Sequence, residues 1–194
     1  LARYATVPVI NALSDYLHPC QALTDLYTIK EKFGAYTNIK IAFIGDGNNV
    51  ARSLAQICVK LGIHLHIASP KGYELTPDFV SKTKQMAEGN DLIHLYQDPK
   101  EAAEKANVLY TDTWVSMGQE AEEEVRKQAF KGFQINSDFL KSAKDDVKVM
   151  HCLPAHRGEE ITDEVIDGPH SIVYDQAENR LHVEKALLKL LLRK

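Results

Sequence analysis

"IKIAFIGDGNNVARS", residues 39–53, joins an apolar run to a tight glycine turn and the opening of a helix. Ile39–Ile44 is rich in branched apolar residues and reads as a strand. The following "NNVARSLAQICVKLG" sets Val50, Leu54, Ile57, Cys58 and Leu61 at helical spacing and ends at Gly62. Comparable apolar runs recur at 64–68, 92–96, 108–110, 147–153 and 172–174, with helical patterns between most of them. This alternation predicts an α/β fold, a doubly wound, mainly parallel sheet with helices on both faces.

Outward from this unit, "TPDFVSKTKQMAEG" opens with Thr76 as a cap and Pro77 at the first helical position. "QEAEEEVRKQAFKGF" reads as a charged helix with a solvated face. Residues 1–35 break the alternation and read as a connector carrying a helix from near Pro19 to Gly34. Residues 36–176 form the regular α/β domain. The terminal helix, 177–194, is apolar around much of its circumference and calls for a surface to lie against.

Bulk properties narrow the function classes. With 194 residues and 44% hydrophobic content, one good-sized core is expected. A net charge of -4, from 23 basic and 27 acidic residues, provides no basic field for nucleic acid. No apolar stretch approaches the roughly twenty residues of a membrane span, and no charged-then-apolar leader opens the chain. It starts at Leu1 rather than Met, which leaves room for an upstream part. Three separated cysteines, Cys20, Cys58 and Cys152, read as free thiols in a reducing compartment, hence the cytoplasm.

The turn at 45–49 resembles a dinucleotide fingerprint, but Val50 stands at the third glycine position and the next strand ends in Ser69-Pro70 without an acidic residue. Nicotinamide binding is disfavoured and no cofactor is expected. The turn still offers amides and the Asn48 and Asn49 side chains where open α/β sheets bind ligands. In "TDTWVSMG", Asp112 suits an ammonium and Ser116 with nearby amides suits a carboxylate; equally, Asp112 is a helix cap and Trp114 a core anchor. In "DYLHPCQAL", His18 and Gln21 either face a polar ligand at a helix N-terminus or form a plain turn. In "HCLPAHRGEE", Cys152 at a strand end is a nucleophile, a metal ligand or a buried thiol. Arg180, taken as lying on the first turn of the last helix, is a surface residue unless an anion is near. The histidine and cysteine spacings do not fit a metal site; His64 and His66 read as strand residues and Cys58 as core.

Together "HPCQ" (18–21), "GDGNN" (45–49), "DTWVSMG" (112–118), "HCLP" (151–154) and "ENR" (178–180), in this order, closely resemble the ornithine carbamoyltransferases of the aspartate/ornithine carbamoyltransferase superfamily. The resemblance implies a carbamoyl phosphate domain followed by an ornithine domain, assembled as homotrimers or their multiples, with carbamoyl phosphate and L-ornithine as partners. This chain would be the second domain with its connecting helix. The Ser-x-Arg-Thr phosphate loop would lie upstream, so the chain alone is expected to be inactive. The terminal helix would return to the first domain.

By the same resemblance, His18 and Gln21 would hold the carbamoyl group, with Arg180 on its carbonyl oxygen. Asn49 and the Met117 amide would bind the ornithine carboxylate, and Asp112 and Ser116 its α-amino end. Cys152 would sit beside the δ-amine, and the Leu153 carbonyl would accept from the carbamoyl NH2. His151 and Pro154 would shape that turn. His156 and Arg157 are left to a mobile surface loop. The alternatives are a non-catalytic amino-acid-binding domain or a carbamoyltransferase for a related amine.

Overall fold

The computed structural model describes residues 1–116 and 118–192; the Met117 expectation therefore lies outside the described residues. The chain runs α1 (Pro19–Phe33), β1 (Lys40–Ile44), α2 (Asn49–Leu61), β2 (His64–Ala68), α3 (Pro77–Met86), β3 (Ile93–Tyr96), α4 (Pro99–Ala103) and β4 (Val108–Thr111). A 3-10 turn at Glu120–Glu122 leads into α5 (Glu123–Ala129), α6 (Ser137–Leu140), β5 (Lys148–His151), α7 (Asp163–Ile166) and α8 (Val173–Leu191).

The five strands pair in the order β3-β2-β1-β4-β5, all parallel. Alternate residues of β1 explain the two-sided core, because successive side chains of a strand leave opposite faces. Ile41 and Phe43 join one buried cluster with Leu26, Leu54, Leu65 and Phe79, while Ala42 and Ile44 join another with Leu109, Trp114, Phe130 and Val149. The inner strands β1 and β4, covered on both faces, need uninterrupted apolar runs, whereas β2 and β3 leave His64 and Leu95 exposed. Gly62 closes α2 in the left-handed region, φ 69°, its N–H on the last-turn carbonyls, a conformation that glycine adopts without steric cost.

Three expectations need correction. The run at 172–174 is not a strand: Ile172 donates once to the Val149 carbonyl beside β5 (3.0 Å), and α8 begins at the next residue. Arg180 consequently lies in the third turn of the last helix, not the first. Helix wins because α8 must present Gln176 and Asn179, both buried, to α1. There Asn179 donates to Thr28 Oγ1 at 3.1 Å. The charged stretch at 119–133 is likewise not one solvated helix. It is broken into a 3-10 turn and the short α5, and it turns Arg126 inward.

Candidate active site

β1 and β4 are neighbours whose onward connections leave in opposite directions, the topological switch point where open α/β sheets form a crevice at the strands' carboxyl ends. After β1 the chain makes a turn that only glycine permits: a Cβ on Gly47 would lie 2.4 Å from the Leu75 nitrogen. Asn48 then caps α2, accepting from the Val50 and Ala51 amides at 3.0 and 3.1 Å. Its amide nitrogen donates to Asp112 Oδ2 at 2.7 Å, tying the ends of β1 and β4 together. Asn49 donates to the Ser14 carbonyl at 2.7 Å and so holds the connector over the crevice.

Asp112 takes a second donor from β5's end, the Cys152 S–H at 3.0 Å. It is therefore a bridge rather than a helix cap, while Trp114 is the buried anchor expected of it. Burial, and next the Asp112 charge, push the Cys152 thiol well above its ordinary range, so it is a protonated donor at neutral pH and a poor nucleophile.

The Cys152–Pro154 turn is held from beneath. His151 Nδ1 accepts from the Leu153 amide at 2.9 Å, so its Nε2 carries the proton toward Glu160 Oε1, 3.0 Å away. Glu160 is fully buried and also accepts from the His156 amide at 2.6 Å. With this support Leu153 sits at φ 56°, the left-handed region that a branched apolar residue rarely occupies.

The loop left as surface is thus structured and reaches the site. His156 Nδ1 lies 3.0 Å from Thr113 Oγ1 and the ring lines the crevice. Arg157 is clamped outside by Asp163 and Asp167. Two groups of ligand-type side chains gather here, Asp112/His151/Cys152 and His156/Glu159/Glu160. Neither fits a metal: both ring nitrogens of His151 are engaged, and Glu159 is paired with Lys127 at 2.8 Å.

His18, Asn49, Asp112, Ser116, Cys152 and Leu153 line one cavity of about 460 Å³. A larger cavity of about 860 Å³ adjoins it across Asn49 and Ser116, with the buried Asp46–Arg126 pair in its wall. Gln21 and Arg180 line neither, but Arg180 Nη1 donates to Gln21 Oε1 at 2.6 Å while its other face holds Glu184. His18 stands at the N-terminus of α1, its amide on Ser53 Oγ at 2.7 Å. Burial and then the Arg180 charge lower its pKa, leaving a neutral imidazole at pH 7. Its Nδ1 is buried with no partner among the described residues, an open polar atom beside the crevice. The Asn48 link and the His156–Glu160 support were missed; the only sequence signal was their adjacency to the glycine turn and to HCLP.

The profile described as "Aspartate/ornithine carbamoyltransferase, Asp/Orn binding domain" matches residues 37–191, and its "carbamoyl-P binding domain" counterpart matches residues 1–31. "Ornithine carbamoyltransferase, anabolic" of Pyrococcus furiosus is 54% identical over 193 residues, covering 99% of this chain and 61% of that protein. The Acidothermus cellulolyticus ornithine carbamoyltransferase is also 54% identical, with 99% of this chain and 62% of that protein covered. Among solved structures, ornithine carbamoyltransferase from Pyrococcus furiosus superposes with a TM-score of 0.93 at 54% identity, covering 98% of this chain and 61% of that one. The Giardia lamblia ornithine transcarbamoylase gives 0.91 at 35%, covering 100% and 66%. This chain spans about three fifths of the length of the curated relatives it matches.

Proposed function

The chain belongs to the aspartate/ornithine carbamoyltransferase family, and from that premise we propose that the protein containing it transfers the carbamoyl group of carbamoyl phosphate to the δ-amine of L-ornithine, giving L-citrulline and phosphate. The observation that carries this reading is one crevice combining an acidic group with a protonated thiol, Asp112 and Cys152, and the His18 imidazole, with Arg180 outside its lining but near enough to lower the His18 pKa. Carbamoyl phosphate is already activated, so the task is alignment of a neutral amine and stabilisation of the oxygen that gains charge. Neither a covalent intermediate nor a thiolate is required, in keeping with the raised pKa of Cys152.

In this reading His18 and Arg180 donate to the carbamoyl oxygen, while Gln21 Oε1 and the Leu153 carbonyl accept from its NH2. Asp112 and Ser116 take the α-ammonium of ornithine; Asn49 and the Met117 amide take its carboxylate. Cys152, held as a neutral thiol, lines the δ-amine's approach in a partly desolvated pocket that favours the uncharged amine. The attacking nitrogen forms its bond to the carbamoyl carbon, the C–O bond to phosphate breaks, and the nitrogen's proton passes to the departing phosphate.

Trimeric assembly and a cytoplasmic setting are part of the same proposal. The setting is supported by three unpaired thiols and by the absence, among the described residues, of a helix long and apolar enough to cross a membrane. Return of the terminal helix to the carbamoyl phosphate domain is supported by Leu181 and Leu190, 69% and 66% exposed here.

In the complete protein, Asp112→Ala, Cys152→Ala and Arg180→Ala are each expected to lower citrulline formation by roughly 100-fold or more, the scale of losing one transition-state donor or an aligned substrate contact. Full turnover in all three would refute these residue assignments.

A further inference from the structure

Asp25 has no part in the chemistry just described, yet it is fully buried among α1, β4 and α8. Its Oδ1 accepts from Gln21 Nε2 at 2.8 Å and from Gln176 Nε2 at 2.7 Å, and its Oδ2 accepts from the Tyr110 hydroxyl at 3.0 Å. We infer that Asp25 is a positioning residue that fixes the orientation of the Gln21 amide, and thereby makes the carbamoyl subsite select an NH2-bearing acyl group.

A glutamine amide has a donating and an accepting end, and its neighbours decide which way round it sits. Here both neighbours decide alike. Asp25, an acceptor, draws Nε2, and Arg180, a donor at 2.6 Å, draws Oε1. A flipped amide would set its carbonyl against a carboxylate and its NH2 against a guanidinium. Asp25 thus takes one N–H of the amide and holds Nε2 on its own side, and the second lone pair of Oε1, beside the one that accepts from Arg180, remains as an acceptor.

This polarity has a consequence for the ligand, resting on the carbamoyl transfer reading above. His18 and Arg180 offer donors to one side of the acyl group, and Gln21 Oε1 offers an acceptor to the other. A carbamoyl group, oxygen on one side and NH2 on the other, satisfies both. An acetyl group presents a methyl where the acceptor waits, leaving the second lone pair of Gln21 Oε1 without a donor. Without Asp25 the amide has no anchor for Nε2 and only Arg180 orients it, so the subsite's preference weakens. The buried carboxylate is costly to keep: despite three donors, burial raises its pKa to about 7.

The test is a double-mutant cycle in the complete protein, with citrulline formation as the assay. Asp25→Ala and Asp25→Asn are each made alone and on a Gln21→Ala background. Asp25→Ala is expected to lower kcat/KM for carbamoyl phosphate by about tenfold or more, the scale of one misplaced hydrogen bond to a reacting group. KM for ornithine is expected to move by less than about threefold. In the Gln21→Ala background the same substitution is expected to cost under about threefold, since the amide it orients is gone.

An equal loss in both backgrounds, or no loss in a folded Asp25→Ala protein, overturns the inference. If Asp25→Ala does not fold, the Asp25→Asn cycle is judged by the same non-additivity, the three donors now meeting one neutral amide oxygen and one amide nitrogen. A wild-type protein that makes no citrulline would overturn the transferase reading itself, and with it this inference. Wild-type turnover with an additive cycle would overturn the inference alone.

Discussion

Cys152 has the position of a nucleophile but the environment of a donor. It sits half-buried just past the end of β5, its S–H on a carboxylate that Asn48 also anchors. Reactivity follows the thiolate, and burial and then the Asp112 charge both oppose its formation. We therefore expect iodoacetamide at pH 8 to alkylate Cys152 in the folded protein at least about 100-fold more slowly than a free cysteine, which is substantially ionised there. Asp112→Asn removes the opposing charge and should speed the reaction. Peptide mass spectrometry against time reads both; wild-type labelling at the free-thiol rate would return Cys152 to the list of nucleophiles.

At the scale of elements, the short α5 is fastened by a charge rather than by an apolar face. Arg126 is 5% exposed, bonds Asp46 at 2.8 Å and the Trp114 carbonyl at 2.9 Å, and lies over the Tyr73 ring. It thus ties α5 to the turn after β1 and to the loop after β4, the two walls of the crevice. Arg126→Ala leaves Asp46 buried without its partner, and urea unfolding at pH 7 should show a loss of about 3–5 kcal/mol. Burial is the largest influence on Asp46 and already raises its pKa, with Arg126 holding it down. Without the arginine, Asp46 should take up a proton more readily, so the loss should shrink as pH falls; a pH-independent loss under about 1 kcal/mol would show that the pair contributes little. Such inward charges explain where the sequence was silent. A strand buried on both faces advertises itself as an apolar run, so β1 and β4 were legible, and β2 showed itself by the alternation of His64-Leu65-His66-Ile67. Arg126 and Glu160 look like solvent-facing charges, because their partners are 80 residues away or lie on a turn whose shape was unknown. The run at 172–174 was too short to separate a strand from the first turn of a helix, and the buried Gln176 and Asn179 look like an exposed face until α1 is set against them. The candidate site was legible as five motifs resembling a family, whereas the buried carboxylates at 25 and 160 belong to no motif.

For the whole molecule, Asp25 matters as the point where the connector helix, the sheet and the terminal helix meet. Its folded pKa is raised to about 7 from an unfolded value near 4. Between those values the native state binds more protons than the unfolded chain, so this group makes stability fall as pH rises from about 4 to about 7, by up to about 4 kcal/mol. His66 acts in the opposite direction: burial pushes its pKa down to about 3, and its stabilisation is lost as pH falls below its ordinary value. From about pH 4 to 6.5 the two slopes oppose each other, and the wild-type curve alone identifies neither. The difference between wild type and Asp25→Asn does, because His66 and every other distant group cancel from it. The 194-residue chain carries its own two-sided core, so its urea unfolding can be followed directly at pH 4.5, 5.5, 6.5 and 7.5. Relative to wild type, Asp25→Asn should gain stability steadily up to about pH 7 and then level off, whatever constant penalty the amide brings. Parallel curves would mean that Asp25 keeps its unfolded pKa in the native state, and that the three helical and strand elements meet at an ordinary carboxylate.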